Sequence, residues 1–550
     1  MKGAEALADL LVQAGVDTIF GLPGSTEASL LEALRARNDV RYVLGLHEGP
    51  VVSMADGYAR VTGKPGVACL HTTVGSLNGA SQVYNAFQDG SPVVVLAGHK
   101  DRTVLSESGF CSHPHLPEAF RPFTKWSHQA LAATELGCDG WRALHVAMTA
   151  PTGPTYLAVP EDFLRGQVPA DSPAPPAGNV GLWSEAGPAP AQSVAAAAAQ
   201  LLSSARSPVI LIGSQARGCV TELRAISDQV AAPLVCADFT DLADVPFPTS
   251  DHRYLGLTGE DPAVFDGCDL VLCVGARLFY PFSTARHPAL PPGARLIHVH
   301  PDAGQIGRRV ATDVGIAAAP SAALRAIVAQ LGTAPAPPDL AQRSARIAAL
   351  RTARDARRQA ERAAHDSGPM PVDRLAAELN QVLPADAVIV DEGVRSATRL
   401  LRHLDLDDSQ LMLRSSGGAL GWGVPAAIGA SIGAPGRPVV ALVGDGSYQF
   451  SVQAIWSAVQ QQASVVIVVL DNGGYLAVKR AIESYLGVPN DPRLHPGTRL
   501  PQIDHVAIAQ GYGAAGQSIQ DAADVGGAVK AALDAGGVQV IAVTVAEVRP

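Results

Sequence analysis

Short runs of Val, Ile and Leu recur along the whole chain, and each is followed by a longer stretch with apolar residues at helical spacing. VDTIF, GVACL, PVVVLAG, PVILIG, LVLCVG, AVIVD, PVVALVG and SVVIVVL are mostly apolar, without the regular in-out alternation of a strand that has one wet face. Strands of that kind are buried on both sides, which predicts mostly parallel sheets with helices on both faces. Two stretches interrupt the pattern. Pro169 to Pro190 is dense in Pro, Ala and Gly, and Thr333 to Pro338 reads TAPAPP ahead of an Arg/Ala-rich helical segment. Read as linkers, they leave three α/β domains: 1–168, 192–332 and 370–550. The first and last echo each other. Gly75-Ser76 precedes a helix and then SPVVVLAG, and Gly446-Ser447 precedes a helix and then ASVVIVVL. Any two α/β units share some of this grammar, so the echo alone decides little.

A chain of 550 residues is long enough for three separately buried cores. Its 54 glycines and 41 prolines, with only 5% aromatics, suit Ala- and Val-rich layers joined by tight turns. The net charge of −10 comes without a Lys/Arg run, which disfavours nucleic acid and anionic lipid as partners. MKGAEALADLLVQAG mixes acids into an amphipathic helix where a secretion signal needs an unbroken apolar stretch, and no segment approaches membrane-spanning length. Seven cysteines without metal-like pairing suit reduced thiols, so the expected location is the cytoplasm.

The candidate chemistry begins where strand VVALV ends in Gly444-Asp445-Gly446-Ser447. A helix is predicted from about Tyr448 to Gln461, and strand SVVIVVL then ends in Asp471-Asn472-Gly473-Gly474. The carboxyl ends of neighbouring parallel strands form a ligand crevice, and a helix start there offers free N–H groups to phosphate. Mg²⁺ takes six oxygens, a few from protein and the rest from phosphate and water; Asp445, Asn472 and the Gly474 carbonyl fit that set. Either tetrapeptide alone reads as an ordinary turn.

Together, GDGS and DNGG resemble the signature of thiamine diphosphate (ThDP)-dependent enzymes, with Asp471-Asn472 where two asparagines are usual. The departure falls on the first Asn, whereas the resemblance gives Mg²⁺ to the second. The likeness runs nearly the whole chain and is closest to the benzoylformate decarboxylase branch of the benzoylformate decarboxylase and acetolactate synthase type. It is carried by FGLPGS, RYVLGLHEGPVVSMADGYAR, HTTVGSLNGA, FRPFTKWS, APTGPTYLAVPEDF and GDGSYQFSVQAIW.

The resemblance implies several roles. Glu48 would bond the aminopyrimidine N1′, so that the imino tautomer can remove the thiazolium C2 proton. Leu420, in SSGGALGWGVPAAIGA, would wedge the cofactor into its bent form. Asp391 to Gly393 would lie on the diphosphate loop, where Val394 and Arg395 depart from the small polar residues usual there. Ser25 matches a serine that meets the substrate carboxylate, and His71 a histidine used in proton transfer. Taken singly, Glu48 reads as a first-turn acid, Ser25 as a helix cap and His71 as a core histidine.

Other departures bear on substrate. Where the branch places a second histidine in the middle domain, the chain reads RLFYPFSTARH, with Tyr280 and no His before His287. Ala477 and Ala481 stand where the related decarboxylase has bulkier lining, which implies a roomier pocket. ESGFCSHPHLPEAF matches the cover loop, with Phe110 and Cys111 as pocket candidates and His113 and His115 reading as surface residues. PVILIGSQARG lacks the spaced glycines of a dinucleotide loop, so no flavin is expected.

The activity implied is non-oxidative decarboxylation of a 2-oxo acid through a C2 ylide and an enamine. The alternatives are a carboligase that passes the enamine to an aldehyde or ketone, forming a 2-hydroxy ketone or acetolactate-type product, and a catalytically silent structural or regulatory paralogue. Because the family joins domains of two subunits around each cofactor, a homodimer or homotetramer is expected.

Overall fold

The computed structural model describes residues 1–550 other than 36, 173–188, 239–240, 279–289, 334, 364–369, 489–494 and 547–550. It consists of three α/β domains, and the expectation of mostly parallel sheets flanked by helices holds. The first sheet has six parallel strands in the order Arg41–Leu44, Thr18–Leu22, Gly66–His71, Val93–His99, Thr155–Pro160 and Trp126–Gln129. The last sheet contains the parallel series Val388–Glu392, Val439–Gly444, Val465–Asp471, Val538–Thr544 and Ala515–Ile519.

The strands just named belong to one compact unit, Met1–Glu185, Ala387–Val394 and Gly417–Glu547. Leu7, Leu10 and Leu11 of helix Gly3–Gln13 and Leu144 of helix Leu136–Met148 pack with Ile19, Val67 and Leu157 to make one core of the first sheet. The two sheets are joined through helix Glu48–Thr62 and helix Gly423–Gly433. Glycines allow the helices to touch along their backbones. A methyl on Gly57 would overlap the Ala426 carbonyl, and one on Gly429 the Met54 carbonyl. Fully buried Asp56 accepts the Trp422 indole N–H (2.7 Å) and the Ser91 hydroxyl, so its polar atoms are matched at that contact.

The second unit, Ala186–Asp386, Arg395–Ser416 and Val548–Pro550, contains the middle sheet. Its six parallel strands run in the order Val314–Ala317, Arg295–His300, Leu270–Val274, Pro208–Ile212, Leu234–Cys236 and Tyr254–Leu257. The Arg-rich helix Leu340–Ala363 uses its cations on this unit itself. Arg351 donates to the Asp251 carbonyl (2.6 Å) and Arg346 to those of Ala263 and Asp266 (2.9 Å each).

Two local expectations are corrected. The helix predicted from Tyr448 to Gln461 is two pieces, Asp445–Gln449 and Ala454–Gln460; the first opens on Asp445 because Gly444 is extended (φ −67°, ψ 151°). Gly75 and Ser76 do not precede their helix but lie inside it, since Thr72–Asp89 starts directly after His71. Glycine there serves close packing, as a methyl on Gly75 would stand 3.1 Å from Glu48 Oε1. Among the described residues no helix is long and apolar enough to cross a membrane.

Candidate active site

Strands Val439–Gly444 and Val465–Asp471 are neighbours, so Asp445 and Asn472 follow adjacent strand ends. Asp445 is 2% exposed, and its Oδ2 has no hydrogen-bond partner among the described residues; neither has the buried Oδ1 of Asn472. Two orphaned oxygens at one rim are costly unless something binds them. Burial pushes the Asp445 carboxyl up to about 6, with the Asp471 charge adding to the rise and the Gly446 and Gly474 N–H groups opposing it. A divalent cation would supply the missing partner for both oxygens. The Gly474 carbonyl accepts one bond, from Leu476 N–H (3.1 Å), and keeps a second lone pair.

The surroundings are shaped by small residues. A methyl on Gly446 would stand 2.6 Å from the Tyr475 ring, whereas one on Gly444 would meet nothing nearer than 3.9 Å. Ser447 is buried beside them. The free N–H groups here belong to a helix of only five residues, so the dipole of the long helix read from the sequence contributes little. Buried Lys479 also faces Asp445 and lowers its carboxyl pKa. Among the described residues no group of three or more His, Cys, Asp or Glu forms a metal cluster, and the donor set is one carboxylate, one amide and one carbonyl.

At the neighbouring strand end, Asp391 is buried and its Oδ1 accepts the Gly393 N–H (2.8 Å), while Val394 takes a left-handed φ of 51°. Glu392 was not singled out in the sequence, yet it organises the next segment. Its carboxylate accepts the N–H groups of Gly421 (2.8 Å), Trp422 (3.1 Å) and Gly423 (2.8 Å). Burial raises its carboxyl to about 7 against those three donors. The turn it grips carries half-buried Leu420. Gln82 donates to the Leu420 carbonyl (3.0 Å) and Asn85 to that of Ala419 (2.8 Å), tying the turn to helix Thr72–Asp89.

Glu48 opens helix Glu48–Thr62, 9% exposed, and its Oε2 accepts from Asn78 Nδ2 (3.1 Å). His71 ends strand Gly66–His71, and helix Thr72–Asp89 leads from it to Gly75 and Asn78 beside Glu48. The His71 ring is partly exposed, with Nδ1 lying 2.9 Å from Glu27 Oε2 and 3.1 Å from Thr26 Oγ1. Ser25 is exposed and opens the turn Ser25–Glu27, and the cap of that turn is Gly24. The structure thus gathers Ser25, His71 and Glu48 around one end of the first sheet. It gathers Asp445, Gly446, Ser447, Asn472 and Gly474 around one end of the last. Among the described residues no hydrogen bond or ion pair joins Glu48, His71 or Ser25 to Asp445 or Asn472.

Of the pocket candidates, Phe110 is 85% exposed and Cys111 half-buried with φ 58°, in a loop where His113 and His115 are exposed. Ala477 is half-buried and Ala481 exposed, one turn apart on helix Leu476–Leu486. Tyr280 and His287 lie outside the described residues. Glu27, Asn78, Gln82 and Glu392 escaped sequence reasoning because each acts on a neighbour distant in the chain. Only the first-turn position of Glu27 after GLPGS gave a local signal.

Three family models match the chain: the N-terminal TPP binding domain of thiamine pyrophosphate enzymes over residues 1–120, their central domain over 195–327 and their C-terminal TPP binding domain over 396–543. Benzoylformate decarboxylase of Pseudomonas aeruginosa is 31% identical over 536 residues, covering 96% of both chains. A putative acetolactate synthase large subunit of Mycobacterium tuberculosis is 28% identical and covers 99% of each. Among solved structures, a thiamine diphosphate-dependent 4-hydroxybenzoylformate decarboxylase of Rhodococcus jostii superposes with a TM-score of 0.85, at 29% identity and full coverage of both chains.

Proposed function

The chain belongs to the thiamine pyrophosphate enzyme family, and from that premise we propose that it is a non-oxidative 2-oxo acid decarboxylase that uses thiamine diphosphate and Mg²⁺. The observation that carries this reading is the imidazole of His71, held by Thr26 and Glu27 at the strand end beside exposed Ser25. Full-length similarity to a benzoylformate decarboxylase supports it. When bound, the cofactor would supply a carbon acid whose conjugate base is a nucleophile towards a keto carbonyl and a sink for the electron pair that CO₂ leaves behind.

The protein's part is to hold, orient and move protons. Asp445 Oδ2, Asn472 Oδ1 and the Gly474 carbonyl would hold the metal, with Gly444, Gly446 and Ser447 lining the diphosphate site and Gly393 the neighbouring loop. Glu48 would hold the pyrimidine ring nitrogen and Leu420 would pack against the cofactor. Ser25 would donate to the substrate carboxylate, and His71 would give a proton to the carbon that has lost CO₂. Phe110 and Cys111 would cover the pocket.

The exposed stripe Val74, Leu77, Tyr84 and Phe87 on helix Thr72–Asp89, next to Glu48, supports a site completed by a second subunit in a homodimer or homotetramer. The same reading keeps the domains at 1–168, 192–332 and 370–550 and places the enzyme in the cytoplasm. A carboligase is the second reading, favoured by the small Ala477 and Ala481, which leave room for an aldehyde acceptor. Turnover with Mg²⁺ and ThDP on a panel of aliphatic and aromatic 2-oxo acids, with and without aldehyde, tests both. CO₂ plus aldehyde supports the decarboxylase; a 2-hydroxy ketone as main product replaces it with the carboligase, and no turnover on any acid refutes both.

A further inference from the structure

Glu27 is 1% exposed, and both of its carboxylate oxygens are occupied. Oε2 accepts the Gly24 N–H (2.7 Å) and meets His71 Nδ1 (2.9 Å), while Oε1 accepts the Thr26 hydroxyl. Two glycines leave the space for this. A methyl on Gly98, at the end of the neighbouring strand, would overlap Glu27 Oε1, and a methyl on Gly24 would overlap the His71 ring. The pocket therefore fits one carboxylate against one imidazole. Among the described residues, the other titratable groups facing Glu27 are Tyr42 and Cys69. Burial raises both, Cys69 to about 12 and Tyr42 further above its usual range, so both stay neutral in ordinary assays.

We propose that Glu27 is the positioning residue of the His71 proton-transfer group: it fixes the imidazole with its proton on Nδ1 and leaves Nε2 as the atom that exchanges protons with substrate. A carboxylate only accepts hydrogen bonds, so a 2.9 Å contact to Nδ1 requires the proton on the imidazole side. Nε2 is then the basic nitrogen of the neutral ring and the free donor of the charged one. In the donating step the Nε2–H bond breaks and a C–H bond forms at the carbon that has lost CO₂. The ring becomes neutral with Nδ1–H still on Glu27, and Nε2 recovers its proton from water. Glu27 also places negative charge against the imidazolium and prevents the ring from flipping, the service a carboxylate gives to histidine in metal and hydrolase sites. The inference rests on the proposed role of His71 and adds the group that sets its tautomer.

The test compares Glu27→Gln, His71→Ala and the double variant in the full-length enzyme. Gln keeps the volume but not the charge, and its amide leaves either nitrogen free to carry the proton. Expected for E27Q is a kcat lower by about 10- to 100-fold with unchanged ThDP affinity by fluorescence titration. The product ratio should shift from aldehyde towards 2-hydroxy ketone when an aldehyde acceptor is added, because protonation slows while carbonyl addition does not. In the H71A background E27Q should change kcat by less than about twofold, since coupled residues are not additive. Independently of turnover, the limiting rate of carbethoxylation of His71 by diethyl pyrocarbonate, taken on the high-pH plateau where the ring is neutral in both proteins and mapped by peptide mass spectrometry, should fall severalfold in E27Q as Nε2 loses electron density.

Equal losses from E27Q with and without His71, together with an unchanged carbethoxylation rate, would make Glu27 merely structural and overturn the inference. An H71A variant with wild-type turnover would instead remove the reading of His71 on which it stands. If no 2-oxo acid is turned over, the carbethoxylation rate alone decides the tautomer.

Discussion

Replacing Glu392 by Gln separates two effects that the wild-type site combines. The carboxyl is raised from 4.5 to about 7 because burial disfavours the charge more than three backbone N–H groups favour it. Folding therefore favours the protonated form. The stabilising contribution is complete below pH 4.5, declines as pH rises and is lost above about pH 7. Each tenfold change in the carboxyl's proton affinity is worth about 1.4 kcal/mol, so the whole change is about 3 kcal/mol at most. Gln abolishes this slope but adds a constant loss, since its amide oxygen cannot accept all three N–H groups and its NH₂ faces at least one of them; an unsatisfied donor costs about 1–3 kcal/mol. The difference in stability between wild type and E392Q should thus tilt by up to about 3 kcal/mol between pH 4.5 and 8. The constant loss moves the line without changing its tilt. Other titrating groups, Asp445 among them, are common to both proteins and cancel. Urea unfolding of the apoenzyme at half-unit pH steps measures the tilt. Parallel curves, flat to within about 0.5 kcal/mol, would show that the carboxylate is well solvated or fully compensated, and the argument from burial would be refuted.

Other outcomes follow from single contacts. Asp445→Ala removes one of the two unpartnered oxygens, so Mg²⁺-dependent ThDP binding should weaken by about 10- to 100-fold or more in a calorimetric titration; unchanged affinity would take the metal away from that rim. Gly429→Ala places a methyl on the Met54 carbonyl and should cost about 1–3 kcal/mol or more, read as a lower urea midpoint; a neutral result would mean the helices separate freely. Ala481→Phe should lower kcat/KM for bulky aromatic 2-oxo acids relative to small aliphatic ones, and equal effects across the panel would place Ala481 outside the pocket.

The parallel sheets were legible because strands buried on both faces read as unbroken Val/Ile/Leu runs. VVALV and SVVIVVL end one residue or less from where those runs stop. Helix starts were less legible. Glycine signals a turn when read locally, but Gly75 and Gly446 sit inside helices because neighbouring side chains, Glu48 and Tyr475, pass too close for a Cβ. That requirement is tertiary and leaves no local pattern. The same holds for Glu392 and Glu27, whose partners lie about thirty residues or more away in sequence, or in a tight turn that looks like any other. Asp445 and Asn472 are legible as candidates because the chemistry proposed for them needs strand ends, which hydrophobic periodicity locates.

Precision at such a site depends on how rigidly its parts are coupled, and a series of contacts couples the Glu48 helix to the Leu420 turn. Helix Glu48–Thr62 meets helix Gly423–Gly433 backbone to backbone at Gly57 and Gly429, where no side chain separates the two. Asp56 binds Trp422 across the same contact, and a buried carboxylate left without that indole N–H would be penalised, so the register has one favourable setting. Asn85 and Gln82 then hold the carbonyls of Ala419 and Leu420, while Glu392 grips the following three N–H groups. The turn is thereby held from both sides, by Gln82 and Asn85 of the first domain and by Glu392 of the last. The role proposed for Leu420 would need that support, because a displacement of about 1 Å in a reacting geometry can cost about 100-fold in rate. The glycines and amides far from any reacting atom are therefore part of how the site keeps its shape.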